Sequence, residues 1–467
     1  MKKTLLSVAV LSAVSTGAYA LDFGQKVELL AKAQSLRLFG VVQPLGASSG
    51  ASVSAATANA TPTSLVTVAP GLTATVVSAD ASLGANVDMM AMWPDDAAPT
   101  HLIVCNEQGS TNVAVQRVEI ATGIVQNIIS SGLTSCDPAH RTPWGTVIVA
   151  EEAGANGRMF EILDPLNTTG VTVSGTLGST TTSDPTKVAY RPAVGALSFE
   201  GVALFPNGVM YYGDEKRPGS GNPGGSYFKF IPTTPWAGGP AITNLTNSPL
   251  VSGNIYGMRT GKRSGNTDYG QGNEFGRGIW VSVTGAAPIN LGAAAVSLKL
   301  PAYYRPEDLA IDQKALASGN VRVCGNNTGE DGVDNHWGET FCITDGTLAQ
   351  ATSIVTLSTP EYQPLVLGNV DFAMMDNIAY QPVKGNWLMQ EDGEGPSFGR
   401  NNDIWSCTED GLDKDILSDA CAKVVTLNDL TAESTGGVFT ASGTTYYMSV
   451  QHNITGHGVI LKITGWQ

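Results

Sequence analysis

The chain has 467 residues, with 26 Lys and Arg against 41 Asp and Glu, a formal net charge of −15. Only 14% of residues are charged and 42% are hydrophobic, while Gly and Pro number 54 and 24. A helical bundle would need more Glu, Lys and Leu, a disordered chain would be less apolar, and a nucleic-acid binder would need clustered Lys and Arg against the phosphates.

Lys2-Lys3, the apolar run from Leu5 to Val14 and Ala18-Tyr19-Ala20 read as a Sec-type signal peptide over 1–20. Export to the periplasm or the cell exterior is expected. Nowhere else does an apolar run approach the roughly 20 residues of a membrane helix, so no membrane span is expected. In an oxidising compartment the six cysteines imply disulfides. Cys324 with Cys342 and Cys407 with Cys421 are plausible local pairs, which leaves Cys105 and Cys136.

Phe23 to Phe39 has the i, i+3, i+4 spacing of a helix through Val27, Leu29, Leu30 and Ala33. From about Gly46 to Ala81 the chain is rich in Ala, Ser and Thr with almost no charge, as in a linker or an edge element. Residues 21–81 are therefore read as an N-terminal helix and linker, and 82–467 as one all-β domain. There, short β-branched and aromatic runs alternate with Gly, Pro, Asn and Asp.

These runs repeat. Six times an apolar strand closes on a polar or acidic cluster, at Glu107, Glu152, Glu215, Asn327, Asp392 and His452. Each is preceded by a strand that starts at a polar residue: Asp88, His140-Arg141, Glu200, Glu307, Asp376-Asn377 and Glu433. Turn signals such as Pro206-Asn207-Gly208, Lys384-Gly385-Asn386 and Ser442-Gly443 lie between the two strands. Six such units predict a six-bladed β-propeller with a short N-terminal helix and linker extension.

In a propeller the innermost strands line one channel, so equivalent strand ends converge on one axial mouth. Carboxylates gathered there need protons or cations to compensate them. Oxygen donors of this kind suit hard cations, calcium above all. Asp and Glu after a strand are also ordinary turn residues, but turn chemistry does not require the same strand end in each repeat. The zinc-protease motif H-E-x-x-H is absent from the sequence. Glu330-Asp331-Gly332-Val333-Asp334 reads as a solvated acidic loop, and His452 as a structural histidine or a donor at the mouth.

Cys136, followed by Arg141-Thr142-Pro143-Trp144-Gly145-Thr146 and Ala150-Glu151-Glu152, resembles the cysteine, TPWGT and acidic-pair signature of the PhoX-type alkaline phosphatases. Further blocks match in the same order from about Asn86 to the C-terminus: Phe199-Glu200-Gly201, Tyr212 to Arg217, Arg305-Pro306-Glu307, Asp376 to Ala379, Glu433 to Gly436 and Val450-Gln451-His452. The resemblance implies a secreted phosphomonoesterase with a mixed iron and calcium cluster at the channel mouth. It implies Cys136 as the thiolate iron ligand, Glu200, Glu307, Asp376 and Glu433 as ligands to iron or calcium, and Glu107, Glu151 and Glu152 as further calcium ligands. Arg305 would clamp the phosphate, with Asn377 a second donor, and the partner would be a small phosphoester bound to a monomer. The family pattern has four residues between its cysteine and Thr-Pro-Trp-Gly, and Cys136 has five. If Cys105 pairs with Cys136, no thiolate remains for iron. A non-catalytic calcium-stabilised binding module and a calcium-dependent lactonase-like hydrolase are the alternatives.

Overall fold

The computed structural model describes residues 23–219, 222–260, 275–330, 337–393, 395–410 and 415–467. The expected signal peptide lies outside the described residues, as does the acidic loop beyond Glu330. Six sheets of four to six strands form a six-bladed β-propeller. The innermost strands are Val87–Trp93, Cys136–Arg141, Phe199–Leu204, Pro306–Ile311, Met375–Tyr380 and Glu433–Phe439, for blades 1 to 6 in order. Each packs against the innermost strand of the next blade, and blade 6 packs back on blade 1.

The apolar runs arise because both faces of every blade are covered. Along the second strand of blade 1, Leu102 and Val104 face a cluster shared with blade 6, while Ile103 and Cys105 face one shared with blade 2. Side chains alternate across a strand, so a blade buried on both sides needs apolar residues at both parities. The hairpin glycines Gly208, Gly385 and Gly443 have φ of 89°, 86° and 68°, conformations that favour glycine.

The weakly charged N-terminal stretch closes the ring. Its Val66–Val68 adds the outermost strand of blade 5, opposite Leu427, and Thr73–Ser78 adds the outermost strand of blade 6, opposite Thr464. The chain then enters blade 1 at Val87. Upstream, Leu45 N donates to Lys423 O (3.0 Å) and Val53 N to Asn428 O (2.7 Å), so this segment lies along blade 5. The helical expectation is met by Phe23–Ala33 and Ser35–Phe39. Cys324–Cys342 and Cys407–Cys421 form the two local disulfides. Among the described residues no helix is long and apolar enough to cross a membrane.

Candidate metal centre at the channel mouth

Every innermost strand carries a β-bulge just after it begins. In blade 1, Val87 faces Asn106 and Met90 faces Val104, so two residues on the inner strand oppose one on its neighbour. The same register shift follows Cys136, Phe199, Pro306, Met375 and Thr435. A bulge re-aims its side chains out of the pleat. The first extra residue is Asp88, Asp137, Glu200, Glu307 and Asp376 in blades 1 to 5. In blade 6 it is Gly436, with φ of 67°, where a Cβ would come within 2.6 Å of Asp88 O. That blade supplies its acid three residues earlier, at Glu433.

A second ring of acids comes from the ends of the neighbouring strands. Three of these ends are acidic pairs, Glu151-Glu152, Asp214-Glu215 and Glu391-Asp392. The first member of each is neutralised by a base: Glu151 by Arg158 (2.6 Å), Asp214 by Lys216 (3.1 Å) and Glu391 by Arg400 (2.6 Å). The second member is set against the inner-strand acids. Asp137, Glu152 and Glu200 form one group whose oxygens lie within 4.8 Å of one another; Glu200, Glu307 and Asp376 form a second, and Asp376, Asp392 and Glu433 a third. The groups share members and make a continuous arc over blades 2 to 6. Gln451 Nε2 joins Glu433 Oε2 (2.9 Å) to Asp88 Oδ2 (3.0 Å), which carries the arc round to blade 1.

Burial dominates the electrostatics. It raises Asp88, Asp137, Glu200, Glu307, Asp376 and Glu433 well above the ordinary carboxyl range, and neighbouring carboxylates raise them further. Glu152 is pushed up to about 10 by burial and then by Glu215, Glu107 and Glu307. Glu107, also raised by burial, sits against Glu152. Acids buried and crowded in this way favour the protonated form unless cations compensate their charge. Two observations fit cations: Glu307 Oε2 and Asp137 Oδ1 are buried with no hydrogen-bond partner, an arrangement that costs free energy unless something fills the gap.

Arg305 is the one base set deep in this arc among the described residues. It precedes the inner strand of blade 4 with φ of 56°. Its Nε meets Glu215 Oε1 (2.7 Å) and Glu307 Oε1 (3.1 Å), and Nη2 lies 3.4 Å from Asp392 Oδ2. Thr328 Oγ1 fixes Glu307 by donating to its Oε1 (2.9 Å). Arg305 Nη1 is buried without a partner.

Of the residues expected at this site, Glu152, Glu200, Glu307, Asp376 and Glu433 are brought together, with Glu107 beside them. Glu151 is turned away: neighbouring strand residues point to opposite faces, and it is held by Arg158 and by Thr134 N (2.8 Å). Cys136 does not offer a thiolate, because its sulfur is bonded to Cys105. Asn377, the second extra residue of the blade 5 bulge, is buried with Oδ1 unpartnered. His452 Nε2 lies 3.9 Å from Glu433 Oε2 at the rim. The start of blade 2 is corrected from His140-Arg141 to Cys136, which leaves His140 at the far end of that strand; burial lowers its pKa to about 4. Asp137 was missed for that reason. Asp88, Glu215 and Asp392 stood at recognised strand ends but were not assigned. Thr-Pro-Trp-Gly is a structural hairpin, with Trp144 Nε1 donating to the buried Glu161 Oε1 (2.6 Å). Further along the channel the inner strands line a cavity of about 250 Å³ in which Asp308 and His140 stand among Met, Ala and Leu side chains.

Fold and mouth define a class: a six-bladed propeller with an acidic axial mouth that holds one deep guanidinium. No protein-family model and no curated protein matches the sequence. Among solved structures the chain is similar to Pseudomonas fluorescens PhoX in complex with vanadate, a transition-state analogue, with a TM-score of 0.61 at 14% identity. That likeness covers 90% of this chain and 98% of the other, and it establishes a PhoX-like propeller fold. Weaker likenesses are to the PQQ-bound aldose sugar dehydrogenase of Streptomyces coelicolor (TM-score 0.43, 15% identity, 84% and 98% covered) and a Xanthomonas campestris gluconolactonase (0.39, 9%, 91% and 99%).

Proposed function

We propose that the chain is a secreted, cation-dependent phosphomonoesterase of PhoX-like type. The observation that carries the reading is Arg305 Nη1, a buried N–H donor left unpartnered inside an arc of carboxylates. A buried donor of this kind is costly unless a ligand acceptor meets it, and a guanidinium matches the oxygens of a phosphoryl group. Bound cations would supply neutralisation of those oxygens and activation of an oxygen nucleophile.

The chain's own residues then have separate tasks. Glu200, Glu307 and Asp376, with Glu152, Asp137, Asp392 and Glu433 on either side, would hold the cations by oxygen donors. Glu215 and Glu307 fix Arg305 Nε, which leaves Nη1 to donate to a phosphoryl oxygen. Charge spreads over the equatorial oxygens as the ester bond breaks, so a preorganised donor at that point lowers the barrier.

A lactonase-like hydrolase could use the same carboxylates, and a calcium-stabilised binding module could too. Neither gives the unpartnered guanidinium N–H a task, and this favours the phosphoester reading. The test is hydrolysis of an aryl phosphate by calcium-loaded protein, with and without chelator, beside an aryl ester and a lactone. Chelator-sensitive phosphate release supports the proposal. Lactone hydrolysis alone, or no turnover of any substrate, replaces it with the corresponding alternative.

A further inference from the structure

We propose that the cations of this mouth are bound through oxygen alone, making it a calcium-type hard-cation centre without iron. The inference rests on reading the mouth as a cation centre and concerns which cations it selects. The family resemblance implies an iron ligand of sulfur, with four residues between it and Thr-Pro-Trp-Gly. In this chain that spacing falls on Asp137, not on Cys136.

The fold gives the one-residue difference its meaning. Asp137 is the first extra residue of the blade 2 bulge, the position held by Asp88, Glu200, Glu307 and Asp376 in four other blades. Its Oδ1 is buried and unpartnered, and it shares a group of oxygens within 4.8 Å with Glu152 and Glu200. Cys136 holds the position before the bulge. In blades 1, 3 and 5 that position is Val87, Phe199 and Met375, each buried against the preceding blade. Cys136 likewise faces blade 1, in the cluster that contains Cys105. Sulfur therefore sits on the interblade face, where it closes the Cys105–Cys136 disulfide, and a carboxylate stands at the mouth.

A disulfide sulfur is not a thiolate and does not replace one as a metal ligand. Thiolate sulfur selects soft metals and Fe–S centres, whereas sites made of carboxylate oxygens alone suit calcium, magnesium and manganese. With all six cysteines paired, the chain has no thiolate to offer in its oxidised form.

The test is elemental analysis of protein purified from an oxidising compartment, with thiol mapping by mass spectrometry before and after reduction. Bound calcium, background iron and no alkylated thiol before reduction are expected. Iron near one per chain, an alkylated Cys136, or no bound cation overturns the inference. Two variants probe position 137 itself. Asp137→Asn should weaken calcium binding by about tenfold or more with an unchanged far-UV spectrum, since one ligand charge is lost. Asp137→Cys, with Cys105 and Cys136 both changed to Ser, should bind Co²⁺ with a sulfur-to-metal charge-transfer band absent from the double Ser parent. Unchanged calcium affinity, or no such band in folded protein, overturns the assignment. Protein that binds calcium, lacks iron and hydrolyses no phosphoester refutes the phosphatase reading and leaves this inference standing.

Discussion

Chelating calcium tests the mouth as a bridge between blades. The three carboxylate groups draw on blades 2 and 3, blades 3 to 5, and blades 5 and 6 respectively. Unfolding separates all of them, so cations held there bind the folded chain only. A ligand bound only to the folded state stabilises it by RT ln(1 + [L]/Kd), about 2.7 kcal/mol per site at a hundredfold excess over Kd. Three occupied groups therefore contribute about 8 kcal/mol. Unfolding entropy for 467 residues is about 1 kcal/mol per kelvin. The expected fall in thermal midpoint on chelation is then about 8 °C. Differential scanning calorimetry at mildly alkaline pH, in excess calcium and in excess chelator, measures it. A change below about 2 °C is less than one site would give and would refute the bridging role.

Arg305→Ala should lower the rate of phosphomonoester hydrolysis by on the order of 100-fold, the scale for loss of one preorganised donor, and Arg305→Lys should not restore it fully because an ammonium lacks the planar fork; a wild-type rate in either variant removes the clamp. Glu151→Gln should cost about 3–5 kcal/mol of stability by leaving buried Arg158 unpaired, yet leave calcium stoichiometry unchanged, and lost calcium would return Glu151 to the mouth. In chelated protein the mouth acids have folded pKa values above their unfolded ones, for Glu152 about 10 against 4.5. The folded state then holds more protons than the unfolded state, so urea midpoints should fall as pH rises through this window, and calcium should remove most of that slope. A midpoint that climbs with pH in chelator contradicts the crowding of these acids.

The propeller was legible in the sequence because its repeat unit leaves two marks, an apolar run buried on both faces and a polar strand end. Glu200, Glu307 and Asp376 could be read from the second mark alone. Asp137 could not, because Cys136-Asp137-Pro138 looks like a cysteine motif and the bulge that aims Asp137 at the axis leaves no signature in the residues themselves. Glu151 and Glu152 are chemically alike and adjacent, and only the partnership with Arg158 separates them. The acids of the three doublets are sorted by bases at varied spacings, Arg158, Lys216 and Arg400, which no local pattern announces. Val66–Val68 and Thr73–Ser78 carry no charge alternation, so their place as outer strands depends on partners far along the chain, Val66 on Leu427 and Thr73 on Thr464.

Calcium-loaded crystals measured at a long X-ray wavelength test the central claim most directly. The account predicts anomalous peaks within the arc formed by Asp137, Glu152, Glu200, Glu307, Asp376, Asp392 and Glu433, with Arg305 Nη1 facing the open side. An arc without a peak in saturating calcium, its carboxyls protonated and bonded to one another, would contradict it.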